Sequence, residues 1–260
     1  MLNLVIPAAG LGSRFRNVGY EIPKPMIPIH GIPMVAWVIS NFELHDEDEI
    51  WIITRSEDEI TNHIKQFTRL VNNKIHFIEI EALTDGPAST LQLALEEIQN
   101  SMPVICANSD QYISASMKDF LTEVRIGKSF GQILTMEASG NKWSYIKRGK
   151  SGSVEKVIEK RQVSSEATVG VYAWRDKAIA LEAINNMKSQ QFRVNNEFYV
   201  APSYDYLAER KMEIFTFNVG NVESEVHGLG TPEDLDIFLG NEEILKYRDR
   251  VLTNLRLPLE

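Results

Sequence analysis

The residues best suited to chemistry stand near the start of the chain. Pro7-Ala8-Ala9-Gly10-Leu11-Gly12-Ser13-Arg14-Phe15 directly follows the apolar run 2–6, and Pro23-Lys24-Pro25-Met26 comes a few residues later. A short buried strand that opens into a glycine loop exposes backbone N–H groups to phosphate oxygens with no Cβ in the way. Arg14 adds a planar fork of donors, and Lys24 is a second cation on a tether stiffened by a proline on either side. Gly10-Leu11-Gly12 is not followed by the third glycine of a dinucleotide fingerprint, nor by the Gly-Lys-Ser/Thr of a P-loop. The chemistry these residues suit is the handling of phosphate.

Two further segments carry suitable groups. Thr84-Asp85-Gly86-Pro87-Ala88-Ser89-Thr90 offers a glycine backbone and a helix N-terminus to an anion or a base edge, although it also reads as a plain helix start. Asn108-Ser109-Asp110-Gln111 follows the apolar run 104–107 and puts Asp110 at a strand tip, where a carboxylate can hold Mg2+ against phosphate oxygens. An Asx turn is the other reading of that segment.

These segments need a sheet to converge. The apolar runs 2–6, 50–54, 75–80 and 104–107 alternate with helical stretches, which predicts βαβ units and a mainly parallel sheet. Helices are expected over 35–41 and around the stripe Leu91, Leu95 and Ile98. Another should follow a capping box of Ser56 and Glu59 ahead of Ile60, Ile64 and Phe67. From residue 131 the texture turns strand-like, at 132–136, 143–147, 154–158 and 168–174, with a hairpin turn at Gly149-Lys150-Ser151-Gly152. Helices are expected again at 177–187 and 201–210, and a last strand at 213–219. Thr231-Pro232-Glu233-Asp234 reads as a helix start, with threonine at the cap and proline in the first turn. The acidic run 43–49 reads as a solvated corner. Loops at the carboxyl ends of such strands are where ligands of α/β sheets sit.

The 260 residues, 43% hydrophobic and 24% charged, suit one main domain, and a net charge of −9 argues against a nucleic-acid or anionic membrane surface. A single cysteine, Cys106, excludes an intramolecular disulfide and a cysteine-based zinc cluster. It reads as a small buried hydrophobe. His30, His45, His63 and His76 show no metal-ligand spacing. The N-terminal apolar run is too short for a signal peptide or a membrane span, so a cytoplasmic location is expected.

The assembly Ala-Ala-Gly-x-Gly-x-Arg-(x)9-Lys-Pro resembles the signature of the nucleotidyltransferase family, of the sugar-nucleotide pyrophosphorylase type. The resemblance runs through most of the chain. It implies a three-layer α/β/α fold, Rossmann-like, with a mixed and mainly parallel sheet. A strand-rich acceptor-binding part would occupy about 131–220 of the single domain, and a C-terminal helical segment 231–252. It implies transfer of NMP from an NTP to a phosphorylated small molecule with release of pyrophosphate, and Mg2+ as cofactor. Carried onto this sequence, Ala8, Ala9, Gly10, Leu11, Gly12 and Ser13 with Gly86, Pro87, Ala88 and Ser109 would bind nucleotide. Arg14 and Lys24 would neutralise the phosphates, and Asp110 would hold the metal. Tyr145, Glu159, Lys160, Gly170, Asn196 and Glu197 would face the acceptor.

Segments 196–199, Asn-Glu-Phe-Tyr, and 229–235, Leu-Gly-Thr-Pro-Glu-Asp-Leu, are similar to the capsule-locus type of the family. That type implies an acceptor resembling a phosphorylated glutamine, with a sugar 1-phosphate as the other expectation. Glu81, five residues before Gly86, stands where relatives read a pyrimidine with an amide. An ionised carboxylate there favours the amine of cytosine, hence CTP. Hexose-phosphate members carry a metal-binding Asp where this chain has Gly228, with Glu223, Glu225 and His227 as replacements and Glu225 preferred. Two rival classes stay open. A nucleotide-sugar glycosyltransferase would carry an Asp-x-Asp where Asn108-Ser109-Asp110 stands, and a non-catalytic nucleotide-binding module would not need Arg14, Lys24 and Asp110 together.

Overall fold

The computed structural model describes residues 1–61, 64 and 73–256. In chain order its elements are β1 (Asn3–Pro7), α1 (Ser13–Arg16), β2 (Pro28–Ile29), β3 (Ile32–Pro33), α2 (Met34–Ser40), β4 (Glu49–Arg55), β5 (Lys74–Ile80), α3 (Pro87–Glu97), β6 (Val104–Ala107) and β7 (Gln111–Ile113). There follow α4 (Lys118–Ile126), β8 (Gly131–Glu137), β9 (Ser144–Arg148), β10 (Val154–Glu159), β11 (Glu166–Trp174), α5 (Lys177–Ser189), α6 (Asp205–Glu209), β12 (Ile214–Asn221), β13 (Val226–Gly228), α7 (Pro232–Leu239) and α8 (Ile244–Asn254).

One sheet of nine strands, among the described residues, carries the molecule. Its order is β10-β9-β11-β6-β1-β4-β5, with β8 and then β12 attached to β11. The β6-β1-β4-β5 stretch is parallel, as uninterrupted apolar runs joined by helices require. Antiparallel β11 joins it to the strand-rich half. Along β1 the side chains alternate, so Leu4 and Ile6 pack in one core with α2, α4, α7 and α8, while Val5 packs in the other with α3 and α5. Helices cover both faces, which gives the three-layer α/β/α arrangement.

Two local expectations are corrected. Ser56 and Glu59 form no capping box. Residues Ser56–Asp58 are a 3-10 turn, the Ser56 hydroxyl donates to the Ile80 carbonyl, and Glu59 is left-handed at φ 48°. Arg55 has captured the local acids, with Nη2 2.6 Å from Asp58 Oδ1. Phe67 of that expectation, and His63 among the histidines, lie outside the described residues. The acidic run 43–49 is not wholly solvated either, because Asp48 is fully buried and accepts from Leu2 N, His45 N and both Nη atoms of Arg125. Burial pushes its carboxyl upward, but the Arg125 guanidinium and the two amides outweigh that and hold it below the usual range.

Two short elements escaped the sequence reading: α4 and the two-stranded ribbon of β13 on β7, which pairs Gly228 with Gln111. Cys106 is buried, and burial raises its thiol far above the ordinary range, so it is a packing residue.

Candidate active site

Two neighbouring cavities open at the carboxyl ends of β1 and β6. The first, about 370 Å3, is walled by residues 7–13, with Lys24, Thr84, Gly86, Pro87, Ser109 and Glu197. Its floor depends on two glycines. Gly12 has φ 62°, and a Cβ there would stand 3.1 Å from Lys24 Cβ, so the bare backbone lets the lysine lie against the loop. Gly86, at φ 119°, would place a Cβ 2.8 Å from Phe198 N and 2.9 Å from Phe198 O. That contact is a built joint: Phe198 N donates to Asp85 O at 2.8 Å and Ala88 N to Phe198 O at 2.9 Å. The turn at 194–197, with Asn195 and Asn196 both left-handed, is thereby fixed to the loop before α3.

Arg14, in α1, is exposed and has no hydrogen-bond or ion-pair partner among the described residues. Lys24 is bonded to Asp110 Oδ2, and the two side chains are 18% and 26% exposed. A carboxylate tied to a neighbouring ammonium is a resting state that a metal ion and a polyphosphate can exchange, the metal taking the acid and the phosphates the lysine.

The second cavity, about 210 Å3, meets the first at Pro87, which lines both, and Asp110 in its wall is paired with Lys24 in the wall of the first. Glu159, Lys160 and Gly170 line it, and so do Arg14, Lys142, Tyr199 and Asp234. Burial raises the Glu159 carboxyl, offset in part by the Ser144 hydroxyl that donates to it and by Lys160. Lys160, left-handed at φ 54°, donates to the Tyr199 hydroxyl at 2.6 Å. Gly170 sits where β11 slips register against β8, with φ 86°. A Cβ there would fall 2.2 Å from Asn108 Nδ2 and 2.8 Å from Gln111 Oε1, so two amides roof this glycine.

Several sequence assignments are corrected here. Glu81 is exposed and outside the lining of the first cavity, where Leu83 and Thr84 stand instead. Ala88 is fully buried in the joint to Phe198. Tyr145 is also fully buried and spends its hydroxyl on the Gly140 carbonyl at 2.7 Å, which makes it a prop beneath the loop rather than an acceptor ligand. Asn196 belongs to the exposed turn and lines neither cavity, while Glu197 lines the first and not the second.

Glu225 is remote from Asp110. Its carboxylate accepts from Asn221 N at 2.7 Å and the Ser224 hydroxyl at 2.9 Å, bonds that hold it below the usual range, and it lines a separate cavity with Lys246 and Arg250. Glu223 is a left-handed turn residue, and His227 is buried among Tyr112, Phe238 and Tyr247.

Lys142 and Asp234 were missed as site residues. Lys142 sits in a polar loop with no pattern of its own, and Asp234 was read as part of a helix start, which it also is: its N–H donates to Thr231 Oγ1 at 3.1 Å.

Among the described residues no three acidic, histidine or cysteine groups come together closely enough to hold a metal by themselves. Asp110 fits the way Mg2+ is held beside phosphates, by one or two carboxylates with waters and phosphate oxygens completing the shell.

A glycine loop, two cations and a strand-tip carboxylate around two adjoining cavities make an α/β protein suited to binding phosphate. The chain belongs to the nucleotidyl transferase family, whose model matches residues 3–222. Among curated relatives it is 23% identical over 207 residues to the bifunctional protein GlmU of Geotalea uraniireducens, covering 76% of this chain and 43% of that one. It is 24% identical over 199 residues to a UTP–glucose-1-phosphate uridylyltransferase of Synechocystis, covering 68% and 50%. The chain spans less than half the length of the first relatives it matches. Among solved structures, a nucleoside-diphosphate-sugar pyrophosphorylase from Vibrio cholerae superposes with a TM-score of 0.79 at 25% identity, over 92% of this chain and 100% of that one. An inositol-1-phosphate CTP transferase from T. maritima shares the fold, with a TM-score of 0.71 at 13% identity over 96% of each chain. Among the described residues no helix is long and apolar enough to cross a membrane.

Proposed function

We propose that the chain transfers NMP from an NTP to the phosphate of a small phosphorylated metabolite and releases pyrophosphate. The observation that carries this is the pairing of Lys24 with Asp110 at the junction of the two cavities, beside an unpartnered Arg14. The first cavity receives the NTP, its backbone N–H groups facing the phosphates. The second receives the acceptor, whose donors meet Glu159 and whose phosphate meets Lys160 and Arg14. That phosphate is already ionised and attacks the α-phosphorus in line, so no general base is needed. The residues contribute positioning and charge neutralisation. Mg2+, held by Asp110, supplies a hard positive charge beside the phosphate oxygens.

CTP is the nucleotide proposed, and a phosphorylated amide or a sugar 1-phosphate the acceptor, for surface-polysaccharide synthesis in the cytoplasm. These finer points rest on the likeness of segments 196–199 and 229–235 to capsule-locus members. They no longer rest on Glu81, which stands outside the cavity. Four NTPs crossed with sugar 1-phosphates, alcohol phosphates such as phosphocholine, and phosphorylated amides, read as Mg2+-dependent pyrophosphate release, test the proposal. Release with CTP and one acceptor class is the expected result. Turnover of a nucleotide sugar without pyrophosphate would replace this reading with glycosyl transfer, and no turnover in any combination would replace it with a binding module.

A further inference from the structure

Gly228 ends β13 without a side chain, yet the space beside it is occupied. A Cβ on Gly228 would lie 3.3 Å from Cγ and 3.4 Å from Oδ2 of Asp234. Two residues on, a Cβ on Gly230 would lie 2.6 Å from Asp110 Oδ2. Two carboxylates therefore press on a glycine-bare segment, and both line the second cavity.

Each is neutralised by a lysine: Asp110 by Lys24, and Asp234 by Lys142, whose Nζ is 2.7 and 2.8 Å from the two oxygens. A separate group in the same wall also awaits a partner. Gln111, next to Asp110 in sequence, is 7% exposed and its buried Oε1 accepts no hydrogen bond. A neutral oxygen of this kind suits a water bound to a cation.

We infer that Asp234, reaching from the first turn of α7, is a second divalent-cation carboxylate of this cavity and acts with Asp110. The inference rests on the nucleotidyl-transfer reading for its purpose, but its test does not. Asp234 is well placed to hold an ion still, because the capping bond to Thr231 fixes its backbone. Lys142 is half-exposed and free to leave. Its ammonium stands in for the ion at rest and competes with it.

The test is Mn2+ titrated into the full-length chain with CTP and no acceptor, read by the electron paramagnetic resonance signal of free Mn2+. Asp234→Asn should weaken Mn2+ binding by roughly tenfold or more. Lys142→Met, which removes the competing ammonium and leaves both carboxylates, should bind Mn2+ at least as tightly as the wild type. Asp234→Asn binding Mn2+ like the wild type would overturn the inference, as would a tenfold loss in Lys142→Met. Neither result touches the transfer reading, which fails only if the wild type releases no pyrophosphate from any pairing of NTP and acceptor.

Discussion

Lys24, in the wall of the first cavity, and Arg14, in the wall of the second, differ in how they are held, and that difference sets what removing each should do. Arg14 is unpartnered, so Arg14→Ala takes nothing from the resting fold. Lys24 neutralises Asp110, so Lys24→Ala leaves a part-exposed carboxylate free, at little cost in stability because water reaches it. Lys24 faces the NTP phosphates and Arg14 the attacking phosphate in the proposed reaction, so each neutralises charge gathered at the reacting centre, and losing such a donor costs about 3–4 kcal/mol of barrier, or roughly 10²–10³ in kcat. Both variants should keep the melting temperature of the wild type and lose that much turnover. Retention of most turnover by both would mean the site lies elsewhere. Asp110→Asn should lose activity steeply and regain part of it at high Mg2+. Glu81→Gln gives a sharper reading of the corrected base assignment: the ratio of kcat/KM for CTP and UTP should match the wild type, since residue 81 is outside the cavity.

Element by element, what could be read from the sequence depended on how far the forming interactions were separated along the chain. The glycine loop after β1 and the Asp110 tip of β6 were legible because a buried run ending in Gly or Asp is a local pattern. The joint between Gly86 and Phe198 was not, since nothing near residue 86 announces a partner more than a hundred positions away. The three-residue strand β13 was invisible for the same reason: it exists through pairing with β7, and that pairing brings Gly228 and Gly230 beside the two carboxylates. Gly86 and Gly170, both at positive φ, make a testable contrast. At Gly86 a Cβ meets backbone of the 194–198 turn, which cannot retreat alone, so Gly86→Ala should disrupt both cavities and lower the melting temperature clearly. At Gly170 it meets the ends of two side chains, which can turn away. Gly170→Ala should then cost only the left-handed backbone penalty of about 1–2 kcal/mol. It should also drive the Asn108 and Gln111 amides into the second cavity, raising KM for the acceptor well above any change in KM for the NTP. Equal rises in both constants would contradict the division of labour between the cavities.

At the scale of the whole molecule, a single carboxylate ties the near ends of the parallel strands together on the side away from the site. Asp48 precedes β4, accepts the Leu2 amide at the entry to β1, and takes both Nη atoms of Arg125 from the last turn of α4 at 2.9 and 2.7 Å. Read as one acid in an exposed run, it gave no sign of this, because its partners lie 46 and 77 residues away. Asp48→Asn keeps the shape but leaves the guanidinium of Arg125, 18% exposed, without its counter-charge. Breaking such a pair from one side costs about 3 kcal/mol, and roughly 6–12 °C in melting temperature for a chain of this size. The pH dependence has a definite sign. The folded carboxyl is held below its unfolded value of about 3.9, so its contribution is fully present above that value and is lost as pH falls through the lower, folded one. The gap between wild type and Asp48→Asn should therefore be widest and constant from pH 7 down to about 5, then close as the wild-type acid takes up its proton. Melting curves of both proteins from pH 7 to pH 2.5 measure it. A gap that stays unchanged at the acid end would show that the loss comes from packing and not from the charge on Asp48.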